Sequence, residues 1–283
     1  MQDKIIALAP AKLNIFLKVV GRRKDGLHII KSGITFVNLY DELEIKISNK
    51  LNISYQGPFK PLKKYYDNCI IRKTLNFLSL DKDINLDIKI KKNIPVQGGL
   101  GSASTNAAAL IKVLSTMKLI KKKDPKYYSN LGSDIPCFLY NKNCLVMGIG
   151  EKILPHYFPK YYFLLVKPNY NNSTKEMYQK LKFKKNSIQE NLFLDKIVNK
   201  DENIGNDFEK IILKNNTDSK KIFNFLKNID NTIFSRMTGT GSCFYSVFYK
   251  KQDAFNAKKI FKSKFTDLWT FVGENNLKNN NLM

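Results

Sequence analysis

The amino-acid sequence predicts an α+β protein that is divided into two domains. The chain has 283 residues, of which 43% are hydrophobic, and this length is sufficient for two moderate domains, each with a core. Segments of strand periodicity alternate with segments of helical periodicity, and this pattern changes near residue 158. We therefore predict an N-terminal domain over residues 1–157 and a C-terminal α+β domain over residues 158–283.

The predicted N-terminal domain is rich in strands. Residues 5–21 hold two short apolar stretches that are broken at 9–12, which predicts strands with an interruption. Residues 41–48 alternate apolar with charged side chains, and the following NISY and QGP predict a hairpin continuation and a turn. Apolar residues spaced over 70–78 predict a helix capped by Asp67 or Asn68. Residues 84–92 alternate again and predict another strand.

The stretch NIPVQGGLGSASTNAAALIKVL, residues 93–114, is a glycine-rich loop between this strand and a predicted helix over 104–117. Such a loop can aim backbone N–H groups and a helix dipole at an anion. Ser102, Ser104 and Thr105 add hydroxyls that can donate to phosphate or contact a metal. No Lys follows Gly101, so the loop is not a Walker A motif, and it does not fit GxGxxG. A tight turn with incidental glycines is the alternative.

The predicted C-terminal domain alternates helices with strands. Helical segments are predicted near 173–183, 206–214 and 218–229, and strands near 232–237, 243–249 and 268–272. Two further buried strands, CLVMGIG and YYFLLVKP, lie on either side of the domain boundary. A second glycine turn, Thr238–Ser242, separates two of the later strands.

The charge and cysteine content restrict the possible functions. A net charge of +24 invites a nucleic-acid-binding interpretation. However, the excess is nearly all Lys spread along the chain, with Arg only at positions 22, 23, 72 and 236, so drift in composition is the better explanation. The four cysteines form no CxxC pair, and no apolar run reaches the length of a membrane span. We expect a cytoplasmic protein with neither nucleic-acid nor membrane partners.

Several polar residues stand in contexts that allow a functional interpretation beside a structural one. Lys12 and Asn14 lie two residues apart in an apolar strand, where a Lys is also explained by snorkelling. Asp134 lies in LGSDIP, where capping or turn formation is the alternative. His28 follows the turn KDGL and is one of only two histidines.

Taken in chain order, PAKLNIFL, DGLH, IPVQGGLGSASTNAA, LGSDIP and RMTGTGSC resemble the motif set of the GHMP kinase superfamily over nearly the whole chain. The resemblance implies a two-domain GHMP kinase-like fold with an active-site cleft between the domains. It implies phosphoryl transfer from ATP, accompanied by Mg²⁺, to a hydroxyl of a small-molecule cytidyl substrate, by a monomer or homodimer. A homoserine or mevalonate kinase of the same superfamily is the alternative, which DGxH beside PAKLN disfavours.

The resemblance also implies roles for individual residues. Asp134 would be the catalytic base, with Lys12 beside it. Asn14, His28 and Tyr178, together with the turn residues Gly239, Thr240 and Gly241, would bind the substrate. The residues implied to bind ATP are Pro95, Val96, Gln97, Gly98, Gly99, Leu100, Gly101, Ser102, Ala103, Ser104 and Thr105.

One position departs from the family pattern in a way that bears on the substrate. The family commonly has an aromatic residue before the His of DGxH, whereas this chain has Leu27. One face of the cytosine would then lack a stacking partner, and Tyr178 would stack on the other face alone.

Overall fold

The computed structural model describes residues 4–80, 84–181 and 204–275. Six strands of the described chain form the first sheet, in the order β3-β4-β2-β5-β6 with β1 paired to β2. Their bounds are β1 Ile5–Arg22, β2 His28–Ile47, β3 Asn52–Gln56, β4 Leu86–Lys91, β5 Cys144–Gly148 and β6 Lys152–Pro155. Neighbours are antiparallel except for β3 and β4, which are parallel.

The second sheet is antiparallel and has the order β10-β7-β9-β8. Its strands are β7 Tyr162–Lys167, β8 Phe234–Met237, β9 Phe244–Phe248 and β10 Trp269–Glu274. All of its strands come from residues 162–274, whereas the first sheet comes from residues 5–155. The division into domains at residue 157 stays a prediction.

The described α-helices lie on the outer faces of the two sheets. They are α1 Ile70–Phe77, α2 Ser102–Thr116, α3 Ile135–Tyr140, α4 Thr174–Lys180, α5 Asp207–Asn215, α6 Thr217–Lys227 and α7 Lys251–Lys264. The first three pack on the first sheet and the last four pack against the second. No helix within these ranges is long and apolar enough to cross a membrane.

A shared core joins the two sheets. Ala11 and Leu13 of β1 are fully buried in one cluster with Phe163 of β7 and Tyr245 of β9. The Tyr245 hydroxyl also donates to the Asn14 carbonyl at 2.8 Å. The strand that carries Lys12, β1, is therefore paired within the first sheet and packed directly against the second, which restricts its movement.

Most of the predicted elements are confirmed, and the periodicity of their side chains explains why. The predicted helices over 70–78 and 104–117 correspond to α1 and α2, and those near 206–214 and 218–229 correspond to α5 and α6. The helix near 173–183 is α4, with its predicted last residues outside the described ones. The strand predictions in the second half correspond to β7, β8, β9 and β10.

Three local predictions are wrong. β3 pairs with β4 in parallel and not with β2 as a hairpin, because β4 inserts between them. The cap of α1 is the Cys69 side chain, which accepts from the Arg72 N–H, and neither Asp67 nor Asn68. The expected break in the first strand is a register shift between Pro10 and Ala11 within continuous β1. The sequence reading also missed α3, α7 and the short β6.

Candidate active site

A cleft of about 400 Å³ collects side chains and loops that are distant in the sequence. It is lined by β1, by the loop that precedes α2, by the residues before α3, by α4 and by the turn after β8. With the start of β2 and the residue after β5, seven separate chain segments converge on one cavity, which is the usual form of a small-molecule site.

Lys12 and Asp134 meet at the base of this cleft. The Lys12 Nζ lies 3.7 Å from the Asp134 Oδ2, and the two side chains are 5% and 37% exposed. This is an ion pair across the cleft, and one carboxylate edge remains open to a ligand. Asp134 precedes α3 but its side chain makes no capping hydrogen bond, so capping does not explain the residue.

Asn14 fixes the position of the Lys12 ammonium group. Its Oδ1 accepts from the Lys12 Nζ at 2.6 Å and from the Gly239 N–H at 2.8 Å. Its Nδ2 donates to the Ser32 hydroxyl at 2.8 Å. The amide is therefore oriented by partners on both sides, and it links β1 to the turn after β8. Its contact with a substrate stays a prediction.

The glycine-rich loop and the second glycine turn pack backbone against backbone. Gly99 has φ +76°, and a Cβ there would overlap the Thr238 carbonyl group. Ser242 N–H donates to the Gln97 carbonyl at 3.3 Å, and Cys243 N–H donates to the Gly98 carbonyl at 3.2 Å. A side chain at Gly99 would separate the two loops, so close packing explains part of the glycine content.

Four consecutive carbonyl groups of the glycine loop accept hydrogen bonds from the protein. Besides those of Gln97 and Gly98, the Gly99 carbonyl accepts from the Thr238 hydroxyl at 3.2 Å and the Leu100 carbonyl from the Lys12 N–H at 3.0 Å. These carbonyl groups are therefore bonded to the protein, and binding of an anion by the loop amides stays a prediction.

A buried ion pair anchors the start of α2, and sequence reasoning missed it. Lys92 and Asp41 are 4% and 0% exposed and bond directly to each other. The Lys92 Nζ also donates to the Ser102 hydroxyl at 2.5 Å and to the Asn106 Oδ1 at 2.7 Å. Burial lowers the pKa of Lys92, against the opposing effect of the Asp41 charge. No periodicity marks such a pair, and Lys92 is one Lys among many.

The three hydroxyls that follow Gly101 do not share one environment. The Ser102 hydroxyl bonds inward to Lys92 and donates to Asp41 at 3.2 Å. Thr105 is 1% exposed and lies outside the cleft lining, beside a separate pocket of about 10 Å³. Ser104 does line the cleft. Binding of phosphate by the Ser102 and Thr105 hydroxyls therefore has no support from the geometry.

His28 and Tyr178 lie together at one end of the cleft, where a second cavity of about 610 Å³ opens. Their ring centroids are 4.8 Å apart at an interplanar angle of 37°. Burial, and next the nearby Arg22 charge, lower the pKa of His28, so the imidazole is neutral at pH 7. Burial and the Asp134 charge raise the pKa of Tyr178 to about 12. Leu27 lines the second cavity and is 47% exposed.

Comparison with known proteins agrees with this geometry. The GHMP kinases N terminal domain matches residues 68–142. A 4-diphosphocytidyl-2-C-methyl-D-erythritol kinase of Francisella tularensis is 34% identical over 242 residues, covering 83% of this chain and 84% of that protein. The enzyme of the same name from Pelagibacter ubique is 34% identical over 269 residues, covering 92% and 94%. The chain belongs to the GHMP kinase family, among the 4-diphosphocytidyl-2-C-methyl-D-erythritol kinases.

The fold of this GHMP kinase is also found in a crystal structure titled 4-(cytidine 5'-diphospho)-2C-methyl-D-erythritol kinase. The TM-score is 0.78 at 21% sequence identity, and the match covers 96% of this chain and all of that chain. The predicted α+β fold of this family is thereby confirmed.

Most of the residues predicted for the site of this GHMP kinase line the cleft. They are Lys12, Asn14, His28, Asp134, Tyr178, Gly239, Thr240 and the ten residues Pro95 to Ser104. Gly241, like Thr105, lies outside the lining. Five lining residues were not predicted: Leu17, Ile30, Ser133, Ile149 and Thr174. The three aliphatic ones are of types far more often part of a core, and Ser and Thr are common in loops and at the starts of helices.

Proposed function

We propose that this chain transfers the γ-phosphoryl group of ATP to the 2-hydroxyl of 4-diphosphocytidyl-2-C-methyl-D-erythritol, the substrate named in its relatives. The observation that carries the proposal is the Lys12–Asp134 pair in the cleft, beside a glycine loop in which four carbonyl groups are already hydrogen-bonded to the protein. A buried cation beside a partly exposed carboxylate suits phosphoryl transfer to an alcohol.

Asp134 acts in this proposal as the general base. Its carboxylate accepts the proton of the substrate hydroxyl while the oxygen of that hydroxyl attacks the γ-phosphorus and the bond to ADP breaks. The Lys12 ammonium, 3.7 Å from Asp134, stabilises the negative charge on the phosphoryl oxygens during transfer. Asn14 holds Lys12 in this position through a 2.6 Å hydrogen bond.

The ATP phosphates bind, in this proposal, against the amide side of residues 95–104. The N-terminus of α2 adds its dipole there, and Ser104 supplies a hydroxyl in the cleft. Thr105 does not take part, because it is buried beneath the loop.

Mg²⁺ enters this site together with ATP. Mg²⁺ commonly needs only one or two protein oxygen ligands besides nucleotide phosphates and water. No three His, Cys, Asp or Glu side chains are grouped as a metal site in residues 4–80, 84–181 and 204–275. The Ser104 hydroxyl in the cleft lining fits this small requirement and would hold the ion together with the nucleotide phosphates and water. Bound there, Mg²⁺ supplies positive charge to the phosphate oxygens.

The cytidyl group occupies the second cavity, beside His28 and Tyr178. The neutral imidazole of His28 offers one donor and one acceptor nitrogen to a base edge, and Tyr178 offers a stacking surface. Leu27 gives the opposite face an aliphatic contact in place of an aromatic one. We further propose that the enzyme acts in the cytoplasm, where its four free cysteines stay reduced.

The decisive experiment measures conversion of ATP to ADP with the cytidyl substrate, with homoserine and mevalonate as comparison substrates. We expect turnover with the cytidyl substrate and a loss of kcat of about 10²–10⁴-fold in Asp134→Ala and Asp134→Asn, as for removal of a general base. Asp218→Asn is the matched control, because Asp218 forms an exposed ion pair with Lys221. Circular dichroism checks that all variants fold.

Two outcomes would contradict the proposal. One is binding of both ATP and the cytidyl substrate without ADP formation, and the other is faster turnover of homoserine or mevalonate. Binding of nucleic acid whose affinity falls steeply with salt would instead support the interpretation based on the +24 charge.

A further inference from the structure

Asn206, which precedes α5, bonds to the glycine turn on the far side of the cleft. Its side chain is 4% exposed, and its Oδ1 caps α5 by accepting from the Phe208 N–H at 2.9 Å. Its Nδ2 donates to the Met237 carbonyl at 2.8 Å and to the Gly239 carbonyl at 2.7 Å. All the hydrogens of this amide are used, so its orientation is fixed.

Asn206 and Asn14 hold Gly239 from opposite sides. Asn206 binds the Gly239 carbonyl group, and Asn14 accepts from the Gly239 N–H. Gly239 has φ +56° and packs against Gly99, to which a Cβ would come within 2.9 Å. The backbone at this turn is therefore located by two side chains, one of which also holds the ammonium group of Lys12.

The residues on either side of Asn206 bond to β1 and to the end of β8. Gly205 accepts at its carbonyl from the Leu17 N–H at 3.3 Å. Asp207 accepts from the Val19 N–H at 2.8 Å, and Glu209 accepts from the Met237 N–H at 2.8 Å. Burial raises the pKa of Glu209. This short segment thus fixes β1 relative to the end of β8, and Asn206 is the member that reaches the turn in the cleft.

We propose that Asn206 is a positioning residue for phosphoryl transfer, acting through Gly239 on both the Lys12–Asn14 pair and the glycine loop. The proposal rests on the proposed kinase function for its effect on turnover. Asn206 does not line the cleft and touches neither substrate. Its contribution is to hold the two glycine loops in a fixed position relative to each other, so that Lys12 and the loop amides are placed to contact the phosphates.

Asn206 also caps a helix, and loss of that cap alone should not alter turnover or ATP binding. A second helix-capping asparagine allows the capping role to be separated from the positioning role. Asn216 caps α6 through its Oδ1, which accepts from the Ser219 N–H at 2.8 Å, but it does not line the cleft. Ser and Asp keep good capping ability, while neither can donate to both carbonyl groups that Asn206 serves.

The test compares Asn206→Ser and Asn206→Asp with Asn216→Ser and Asn216→Asp. The readouts are kcat, KM for the cytidyl substrate, and the Kd of a non-hydrolysable ATP analogue. In the Asn206 variants we expect kcat to fall about 10–100-fold and the Kd to rise about 3–10-fold. The KM for the cytidyl substrate should change less than about threefold, because the retained cap keeps Phe208 against Tyr178. The Asn216 variants should stay within about twofold in every readout.

The arms of the experiment separate the two proposals. Absence of turnover in the wild type would refute the proposed function, while the Kd comparison would still decide the role of Asn206. Asn206 variants with kcat and Kd within twofold of wild type would overturn the positioning role, even if their thermal stability fell. A uniform loss in all four variants would also overturn it, because helix capping would then be the cause.

Discussion

Removal of the Lys92 ammonium group tests how the start of α2 is held. The Asp41 carboxylate is fully buried and accepts from the Asn93 and Ile94 N–H groups at 2.7 and 2.9 Å and from the Asn106 Nδ2 at 3.0 Å. In Lys92→Met these neutral donors remain, while the positive charge that Lys92 places against Asp41 is lost. Breaking a buried pair in this way costs about 3–5 kcal/mol.

Protonation of the Asp41 carboxylate, once it has lost its partner, sets an upper limit to this loss of unfolding free energy. An ordinary Asp has a pKa of about 3.9, so protonation costs about 4 kcal/mol at pH 7 and about 1.5 kcal/mol at pH 5. The loss in unfolding free energy caused by Lys92→Met should therefore be larger at pH 7 than at pH 5, by about 2.5 kcal/mol. A loss of about 4 kcal/mol is a large share of the 5–15 kcal/mol that stabilises a typical domain.

The assay is urea denaturation of wild type, Lys92→Met, Asp41→Asn and the double variant, at both pH values. We expect the double variant to be more stable than either single variant, because it leaves no unpaired charge in the core. Single variants that each lose less than 1 kcal/mol, with additive effects and no pH dependence, would refute this reasoning. The pair would then be screened by water rather than buried.

Three further outcomes follow from the geometry. Gly99→Ala forces a Cβ onto the Thr238 carbonyl at positive φ; it should destabilise the fold by about 2–5 kcal/mol and weaken ATP binding. Gly21→Ala is the control and should do neither, because its Cβ would meet only the Ile29 side chain, most closely at the terminal Cδ1. Equal denaturation midpoints for the two variants would contradict this. Leu27→Tyr adds a ring in the second cavity. It should lower KM for the cytidyl substrate about 5–10-fold without changing KM for ATP. An unchanged KM for the cytidyl substrate in steady-state kinetics would exclude stacking at this position. Burial lowers the pKa of Lys112 to about 8, so its positive charge destabilises the folded state below pH 8, and this effect disappears as pH rises toward 10.5. The unfolding free energy of wild type should therefore rise by about 2–3 kcal/mol relative to that of Lys112→Met between pH 7.5 and 10. A difference in urea denaturation that stays constant with pH would count against this.

Sequence patterns predicted the local structure where periodicity is strong. Alternation through β4 and helical spacing through α1 and α2 are repeats of near neighbours, and near neighbours alone fix them. The α7 helix was missed although it runs from 251 to 264, because its Lys-rich sequence leaves few apolar positions. The β2–β3 hairpin was wrong because the strand that separates them, β4, arrives some 30 residues later.

The residues of the candidate site were also predicted from local sequence patterns. Lys12, His28, Asp134 and the glycine loop were predicted because their motifs stand in a family-specific order, and family membership needs nothing beyond the sequence. The roles proposed for these residues await the experiments described above.

The sequence by itself determined the family of this protein, most of its helices and strands, and the short motifs that carry its chemistry. The tertiary structure decided which of those motifs touch: Lys12 with Asp134, Gly99 with Thr238, and Asn206 with Gly239. It also showed that the Ser102 hydroxyl is bonded inward to the Lys92–Asp41 pair. The physical reason is that periodicity reports which face of an element is buried, whereas the partner of a buried polar group is set by chain segments that lie far away in sequence.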